Sequence, residues 1–320
     1  MTMSKLLPIS ALVATRNRSQ PLARMLNSLA QQSMQPIEMI VVDGSTDDET
    51  EKLCQSKILQ LDTKILYYRA TEIGAAIQRN QAMQYATQNF IWLLDDDIIF
   101  EPNCVERLWQ ALESNSQLGG VNAMITNQKY LPPGKISRRL FQILHGRPEV
   151  SYAGKCIGPA LNLLPEDNPN LPEVVSVEWL NTTCVMYRRE ALPNPLFPPI
   201  FTGYSLMEDV TLSLIVGKKW KLANARTARI FHDSQPGDHK NNLGVLAKMD
   251  LVNRHYVMTQ ILNKSSFQDY IKLAIFQLFN VAVSLVSPKG LRSLPLVLLG
   301  KLSAIQEIVS SSYKTIDNQL

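Results

Sequence analysis

Apolar residues along the first 130 positions follow two periods in alternation. Short apolar runs favour buried strands, and apolar residues that recur every three or four positions favour helices. The predicted strands lie at residues 9–14, 37–42, 64–68, 90–94 and 120–126. The predicted helices begin near Ser19, Thr50, Gly74 and Pro102. Strands that alternate with helices predict an α/β fold with right-handed crossovers and a mostly parallel central sheet.

The pattern changes after residue 130. Residues 130–172 are rich in proline and have few periodic runs, so they predict an irregular connection with one short helix near residues 138–144. Beyond them the sequence predicts, in order, a strand region, a helix and a strand at residues 174–187, 208–216 and 220–230. From residue 240 onward the pattern is largely helical and includes two apolar helices, at residues 274–286 and 291–308.

These changes predict one domain at residues 1–239, with halves at 1–128 and 129–239, and a basic helical region at residues 240–320. In that region nine Lys and Arg oppose four Asp and Glu, whereas the whole chain carries +4. Its longest uncharged window has 16 residues, and about 20 are needed to span a bilayer. We therefore expect the C-terminal helices to lie on an anionic membrane surface. Packing on the body of the protein, or an oligomer interface, is the alternative.

Composition excludes several classes of protein. An apolar content of 45% in 320 residues excludes a disordered protein and leaves ample chain for a buried core. A net charge of +4 gives no support for a nucleic-acid partner. The apolar run at residues 6–14 is short for a signal peptide and is better explained as a buried strand. The cysteines lie too far apart for a zinc or redox motif, which favours a reducing compartment; they are Cys54, Cys104, Cys156 and Cys184.

Three adjacent carboxylates, Asp95, Asp96 and Asp97, follow the apolar strand predicted at residues 90–94. Their mutual repulsion is costly unless a positive group lies close by. Hard divalent cations bind carboxylate oxygens, and Mg²⁺ commonly bridges to substrate phosphates. Asp43 ends another predicted strand, and ligands of parallel sheets bind outside the carboxyl ends of the strands. Both acidic groups are therefore predicted at one edge of the sheet. The alternative for the triplet is a solvated turn or a helix cap, and the alternative for Asp43 is a helix N-cap.

Further candidate residues follow in the second half of the sequence. Glu208 and Asp209 open a predicted helix, where they serve either as a general base for a hydroxyl nucleophile or as ordinary complements of the helix dipole. His232 stands at a strand end and is a candidate metal or phosphate ligand, although a lone histidine there is commonly a surface residue. Trp179 and Tyr204 are candidate stacking surfaces for a sugar ring, with burial in the core as the alternative.

Five short stretches of the sequence resemble glycosyltransferase family 2, the nucleotide-sugar-dependent enzymes with the GT-A fold. They occur in the family order at residues 10–18, 40–47, 74–80, 94–97 and 208–214, and the resemblance extends over residues 8–235. It implies a GT-A fold with a Rossmann-like, mostly parallel sheet, followed here by the C-terminal helical extension. The sequence has no clear Gln-x-x-Arg-Trp motif, which argues against a processive synthase of the cellulose or hyaluronan type.

The resemblance also implies roles for individual residues. Asp43 matches the aspartate that binds the nucleotide base, and Asp209, or else Glu208, matches the catalytic base. Asp97 looks like the direct ligand of Mg²⁺ or Mn²⁺, with Asp95 and His232 as further metal-binding residues. The implied contacts to the nucleotide-sugar come from Thr15, Arg18, Asp43, Arg79, Asp95 and Asp96. The residues expected at the acceptor are Trp179 and Tyr204.

The function that the resemblance implies is metal-dependent, inverting transfer of a sugar from a nucleotide-diphospho-sugar to a hydroxyl acceptor. Displacement with one base and no covalent carboxylate inverts the anomeric carbon. The expected acceptor is a sugar or a lipid-linked molecule in cell-surface polysaccharide or glycolipid synthesis. The expected location is cytoplasmic, at the inner face of the plasma membrane. The alternatives are a nucleotidyltransferase of related fold and a non-catalytic member that binds membranes or partners.

Overall fold

The computed structural model describes residues 4–56, 61–235 and 242–310. The first part of the chain alternates strands with helices, as its two periods predict. The strands are β1 (Lys5–Thr15), β2 (Met34–Asp43), β3 (Lys64–Arg69), β4 (Phe90–Leu94), β5 (Ile98–Phe100) and β6 (Leu118–Ile125). The helices are α1 (Ser19–Ala30), α2 (Glu49–Gln55), α3 (Ala75–Tyr85) and α4 (Cys104–Glu113).

The second part of the chain contains shorter strands and ends in helices. The strands are β7 (Cys156–Ile157), β8 (Leu161–Asn162), β9 (Val174–Val177), β10 (Cys184–Arg188) and β11 (Lys221–His232). The helices are α5 (Lys135–His145), α6 (Glu208–Val216), α7 (Leu243–Tyr256), α8 (Phe267–Ser284) and α9 (Pro288–Ser310). A 3-10 turn spans Arg189–Ala191, and a π-helix spans Val257–Ile261.

The central sheet of the described chain has nine strands in the order β3-β2-β1-β4-β10-β6-β11-β5, with β9 paired to β11. β1 is parallel to both β2 and β4, β2 is parallel to β3, and β6 is parallel to β11. β5, β9 and β10 are antiparallel to their neighbours. The prediction of a mostly parallel sheet in an α/β fold is therefore confirmed.

Burial explains why the parallel strands read as continuous apolar runs. Strands covered on both faces need apolar residues at every position rather than at alternate ones. In β4, Ile91, Trp92, Leu93 and Leu94 are all 0% exposed. Helix α1 covers the sheet with one stripe, formed by Leu22, Met25, Leu26 and Leu29, whose spacing of three and four is the helical period.

Two short features of the fold differ from the sequence prediction. The strand region at residues 174–187 is two strands, β9 and β10, and each pairs with a different neighbour. Strand β5 was not predicted, because three residues are too few to show a period. It forms by pairing with β11, so that Ile98 lies opposite His232.

The chain divides into two compact units. The first comprises Met1–Tyr130, Ala153–Lys155 and Leu164–Gln235, and the second comprises Leu131–Tyr152, Cys156–Leu163 and Pro236–Leu320. The first unit contains the large sheet and the second contains helices α5 and α7–α9 with the hairpin β7–β8. The predicted assignment of residues 1–128 and 129–239 to a nucleotide-sugar half and an acceptor half stays a prediction.

The C-terminal helical extension is confirmed, and its helices pack closely on one another within the second unit. A Cβ atom at Gly300 of α9 would overlap the carbonyl group of Gly244 in α7, with the carbonyl carbon 2.9 Å away, so glycine is required at this crossing. Lys248 and Glu307 join the same two helices by an ion pair of 2.6 Å. Helix α9 has 23 residues and is, by length and hydropathy, the one described helix able to cross a membrane.

Candidate active site

The carboxyl ends of β1, β2 and β4 meet at one edge of the large sheet. The strand register places Thr15 beside Asp43, at the ends of β1 and β2. β4 ends at Leu94, beside Val13 of β1, and the three aspartates follow directly. This register places Asp43 and the aspartate triplet at the same edge of the sheet, as the sequence predicts.

Asp96 is held from the side of β1. Its carboxylate accepts hydrogen bonds from Thr15 Oγ1 at 2.6 Å and from Arg18 Nη1 at 2.9 Å. Burial raises the pKa of Asp96 to about 6, although Arg18 and Thr15 both act in the opposite direction. Three predicted donor-site residues are therefore in direct contact, and Asp96 holds Thr15 and Arg18 in place.

Asp97 lies between two basic side chains. Arg18 Nη1 is 3.1 Å from its Oδ2, and His232 Nε2 is 3.1 Å from its Oδ1. Burial opposes ionisation of Asp97, but the hydrogen bond and charge of His232, with Arg18, outweigh it and lower the pKa. The β5–β11 pairing brings His232 here across 135 positions of sequence.

Asp95, Asp97 and His232 form a candidate metal centre. One ligand atom from each of them lies within 4.8 Å of the other two. The two carboxylates supply the oxygen ligands that Mg²⁺ and Mn²⁺ prefer, and the imidazole adds one nitrogen. The geometry and chemistry of these three side chains therefore fit a divalent cation.

Asp43 is buried, and its two oxygens have different partners. Oδ1 accepts hydrogen bonds from the Ser45 backbone N at 2.8 Å and from the Ser45 hydroxyl. Oδ2 accepts from the Tyr67 hydroxyl at 3.0 Å and lies 3.5 Å from Arg69 Nη1. Burial, and then the hydrogen bond to Asp43, raise the pKa of Tyr67, so this hydroxyl stays a donor to Asp43 at neutral pH.

Gln78 is a residue of this site that the sequence analysis did not select. Its side-chain amide donates to the carbonyls of Thr15 at 2.9 Å and Val42 at 2.8 Å, and it accepts from Gly74 N at 3.2 Å. Gln78 is 3% exposed, so these bonds are shielded from water. It connects the ends of β1 and β2 to the start of α3. The signal available in the sequence was its place beside Arg79 in the stretch at residues 74–80.

Arg79 connects the aspartate triplet to the Glu208-Asp209 pair. Its Nη2 lies 2.5 Å from Asp95 Oδ1, and its Nη1 lies 3.3 Å from Glu208 Oε1. Thr182 Oγ1 also donates to Glu208, at 3.2 Å. Arg79 is 4% exposed. The structure therefore brings together two acidic motifs that lie more than a hundred positions apart, through one buried guanidinium.

Glu208 and Asp209 differ in their bonding. Burial raises the pKa of Glu208 to about 8, with the Asp209 charge as the next cause. Burial also raises the pKa of Asp209, to about 6, against the hydrogen bond that its Oδ1 accepts from Val210 N at 2.7 Å. Burial therefore raises the pKa of both carboxyl groups, and Glu208 is the one bonded to Arg79 and Thr182.

The loop before α6 places Tyr204 near these carboxylates. Gly203, Ser205 and Met207 all have left-handed backbones, with φ of 58°, 58° and 75°. Ala75 N donates to the Gly203 carbonyl at 3.2 Å, which joins this loop to the start of α3. Tyr204 is 42% exposed, and burial, followed by the charges of Asp95 and other site carboxylates, raises its pKa.

The two predicted acceptor residues have different surroundings. Trp179 is 6% exposed, and it precedes Leu180, whose backbone N donates to Ser213 Oγ of α6 at 2.8 Å. Tyr204 keeps an accessible ring surface beside the acidic groups. The geometry therefore favours Tyr204 over Trp179 as a sugar contact, and both assignments stay predictions.

The mostly parallel sheet and the acidic cluster outside its carboxyl edge define a GT-A glycosyltransferase fold. The model of the family described as Glycosyl transferase family 2 matches residues 10–192. The chain belongs to this family, and the predicted resemblance is confirmed.

Curated relatives match the chain over a limited stretch. Glycosyltransferase GlyG of Streptococcus pneumoniae serotype 4 is 28% identical over 105 residues, which are 33% of this chain and 35% of GlyG. An uncharacterized glycosyltransferase, YwdF of Bacillus subtilis, is 29% identical over 107 residues, 33% of this chain and 38% of YwdF. The chain thus spans little more than a third of the length of these relatives.

Solved structures share the fold at low sequence identity. The structure of GalNAc-T7 with UDP, GalNAc and Mn²⁺ has a TM-score of 0.52 and 14% identity, and the match covers 76% of this chain and 47% of that one. The mannosyltransferase PcManGT from Pyrobaculum calidifontis, in complex with GDP-Man and Mn²⁺, has a TM-score of 0.51 and 14% identity, and the match covers 94% of this chain and 80% of that one.

Proposed function

We propose that this protein is a metal-dependent, inverting glycosyltransferase that uses a nucleotide-diphospho-sugar donor and a hydroxyl acceptor. The observation that carries the proposal is the meeting of Asp95, Asp97 and His232 within 4.8 Å of one another, next to the Glu208-Asp209 pair. The fold neighbours GalNAc-T7 and PcManGT, which bind UDP and GDP-Man with Mn²⁺, support this choice of ligands.

The donor is proposed to bind along the carboxyl edge of β1, β2 and β4. Asp43 accepts hydrogen bonds from the base, and Thr15, at the end of β1, and Arg18, in the loop after it, reach the nucleotide. Arg79 and Asp96 are proposed to contribute to the same donor site, and each is also bonded to other site residues. They hold Asp95, Thr15 and Arg18 in the positions that the donor requires.

Mg²⁺ or Mn²⁺ is proposed to be held by Asp95, Asp97 and His232. A cation bound there would neutralise the negative charge on the departing diphosphate. Arg18 lies 3.1 Å from Asp97, and its guanidinium places a second positive charge beside the same phosphates. Gln128 is proposed to orient His232, since its side-chain nitrogen lies 3.1 Å from the ring Nδ1 and leaves Nε2 facing Asp97.

Asp209 is proposed as the general base and Glu208 as a positioning residue. Burial raises the pKa of Asp209, which makes its carboxylate a stronger base than that of an exposed aspartate. Glu208 is bonded to Arg79 and Thr182 and is therefore less free to receive one. The acceptor oxygen forms a bond to the anomeric carbon as its proton passes to Asp209, and the bond to the nucleoside diphosphate breaks. One displacement inverts that carbon.

A sugar or lipid-linked acceptor is proposed, in the synthesis of cell-surface polysaccharide or glycolipid. Relatives named PGL/p-HBAD biosynthesis glycosyltransferase, 27% identical over 100 residues in Mycobacterium, support this direction. Tyr204 is the proposed stacking surface for the acceptor. We also propose peripheral membrane contact through the C-terminal helices, at the cytoplasmic face of the plasma membrane. The basic sequence of that region supports this location.

A panel of UDP- and GDP-sugars, each with Mn²⁺ or with EDTA, tests the donor and metal. A ligand that binds the folded state raises the unfolding temperature by mass action, so we expect one nucleotide-sugar to stabilise the protein only with metal present. The anomeric configuration of the transferred sugar, measured by NMR, tests inversion. Stabilisation that is unchanged by EDTA would contradict the metal requirement, and a retained anomer would contradict the single displacement.

A further inference from the structure

Helix α5 carries a mixed apolar and basic face. Ile136 and Ile143 are 77% and 55% exposed, and Lys135 and Arg139 are exposed as well. Positions that are three, four or seven apart lie on the same side of an α-helix. These four side chains, which we call the α5 face, therefore point the same way. Within the described ranges of the chain, neither Lys135 nor Arg139 has an ion-pair partner.

The arc of α5 next to this face is buried in the second unit. Leu140 and Leu144 are 7% and 1% exposed, and they pack in one cluster with Phe276 of α8. Phe141 contacts the Tyr152 ring edge-to-face, with centroids 5.4 Å apart. This packing fixes the rotation of the helix, so the α5 face cannot turn inward to bury its isoleucines.

A surface cavity of about 490 Å³ adjoins the C-terminal end of the α5 face. Arg139 and Arg147 line it, with Ile143 between them in sequence. Arg147 is partly neutralised by Glu149, at 2.9 Å, whereas Arg139 is not. The cavity therefore combines an apolar wall with guanidinium groups, which suits the phosphate of a lipid headgroup.

Charge favours an anionic partner over a second copy of this chain. The described residues of the second unit contain eleven Lys and Arg and four Asp and Glu. A second copy would bring the same positive charge to the contact and repel it, whereas an anionic bilayer carries the opposite charge and attracts it. The helices α8 and α9 of the same unit also expose large apolar side chains, namely Phe267, Leu278, Leu299, Leu302 and Val309.

We propose that the α5 face docks on the surface of an anionic phospholipid bilayer. Ile136 and Ile143 enter the boundary between headgroups and acyl chains, while Lys135 and Arg139 lie beside lipid phosphates. Docking then uses a helix from the middle of the chain in addition to the C-terminal helices. This inference rests on the proposed function only for the choice of a membrane as the partner. Vesicle binding is measured without any sugar transfer, so the docking and the transferase activity can fail separately.

Co-sedimentation of the full chain with phosphatidylglycerol-containing vesicles, and with pure phosphatidylcholine vesicles, tests the docking. We expect binding to the anionic vesicles only. Lys135→Gln with Arg139→Gln should weaken it about tenfold, because each basic residue near an anionic surface contributes to the attraction. The matched control, Lys218→Gln with Lys219→Gln, removes the same charge from exposed lysines of the first unit and should change binding by less than about twofold.

Ile136→Ser with Ile143→Ser tests the apolar part and should also weaken binding about tenfold, with an unfolding temperature close to that of the parent protein. If the Lys218→Gln, Lys219→Gln control lost as much vesicle binding as the Lys135→Gln, Arg139→Gln variant, net charge alone would explain the loss, and the proposal would be overturned. Displacement from vesicles by excess soluble glycerol phosphate would overturn it in favour of a small-anion site. Self-association that the α5 variants abolish, seen by light scattering without vesicles, would overturn it in favour of a second copy of the chain.

Discussion

Two groups of partly or fully buried acidic side chains, one in each unit, differ in how their charge is balanced. Among the described residues of the first unit, five carboxylates lie close to two guanidinium groups, Arg18 and Arg79, and to the imidazole of His232; the carboxylates are Asp95, Asp96, Asp97, Glu208 and Asp209. In the second unit, the single carboxylate of Asp250 accepts from Arg254 at 2.8 Å and from Gln277 at 3.3 Å.

The pKa shifts of the two groups follow this balance. Burial raises the pKa of Glu208, Asp209 and Asp96 because too little positive charge opposes it. Asp97 is the exception in this group, because His232 and Arg18 together lower its pKa. Burial acts on Asp250 too, but Arg254 outweighs it and lowers the pKa. An excess of buried negative charge is costly by itself, so it indicates a site that gains stability from a cationic ligand. A balanced pair indicates a group that maintains the packing of helices.

The largest expected effect is the loss of transfer activity in Asp209→Asn. Removal of a general base reduces kcat by about 10²–10⁴-fold, and we expect a value near 10³-fold with the donor KM little changed. The unfolding temperature should rise, because the raised pKa means that ionised Asp209 opposes folding at neutral pH. Steady-state kinetics and a thermal melt measure both; a large KM change with full kcat would assign Asp209 to binding.

The pH dependence of kcat/KM tests which of the two carboxylates is the general base. The base must be ionised, so kcat/KM should increase with pH and level off above about 6, the pKa to which burial raises Asp209. The rising limb should be lost in Asp209→Asn and kept in Glu208→Gln. A limb that disappears in Glu208→Gln instead would make Glu208 the base.

Asp97→Asn should reduce activity by about 10²-fold, because electrostatic stabilisation of a leaving group is worth a few kcal/mol. It should also weaken the stabilisation of the folded protein by Mn²⁺. Asp233→Asn is the matched control, since Asp233 is the next residue after His232 but forms an exposed ion pair with Arg24. The proposed metal centre would be contradicted if both variants responded to Mn²⁺ like the parent protein.

Arg254→Gln should lower the stability of the protein and leave its activity nearly unchanged, the reverse of what is expected for Asp209→Asn. The change leaves Asp250 without its main counter-charge and frees the carbonyl of Ala160, to which Arg254 donates at 2.6 Å. We expect the free energy of unfolding to fall by about 2 kcal/mol, measured by urea denaturation. Transfer per folded molecule should change by less than about twofold. The lowered pKa of Asp250 also predicts stability that is present above its unfolded pKa of about 4 and lost as the pH falls through the folded value.

The smallest effect is expected at Gln78, which contacts backbone rather than substrate. Gln78→Leu removes its bonds to Thr15, Val42 and Gly74 and should raise the donor KM about tenfold with kcat changed less. Gln81→Leu is the control, because Gln81 bonds to Thr71 and Arg69 instead. An equal KM in the two variants would show that Gln78 has no positioning role.

The order of strands and helices in the first unit was predictable because local periodicity encodes it. Strand β4 and helix α6 occur at the residues expected from the sequence. Strand β5 and the pair β7–β8 were not predictable, because two or three residues carry no period and form only by pairing. The candidate site was partly predictable, since the carboxyl ends of parallel strands share an edge.

Sequence by itself determined the longer strands and helices, the acidic residues at strand ends and the basic C-terminal region. Tertiary structure alone decided which charges meet: Arg79 with both Asp95 and Glu208, and His232 with Asp97. It also decided that α5 turns Leu140 and Leu144 inward and leaves Ile136 and Ile143 outside. The physical reason is the separation along the chain over which each kind of interaction acts. Backbone preference and hydrophobic period act between neighbours in the chain, whereas contacts between side chains a hundred positions apart depend on strand register and packing.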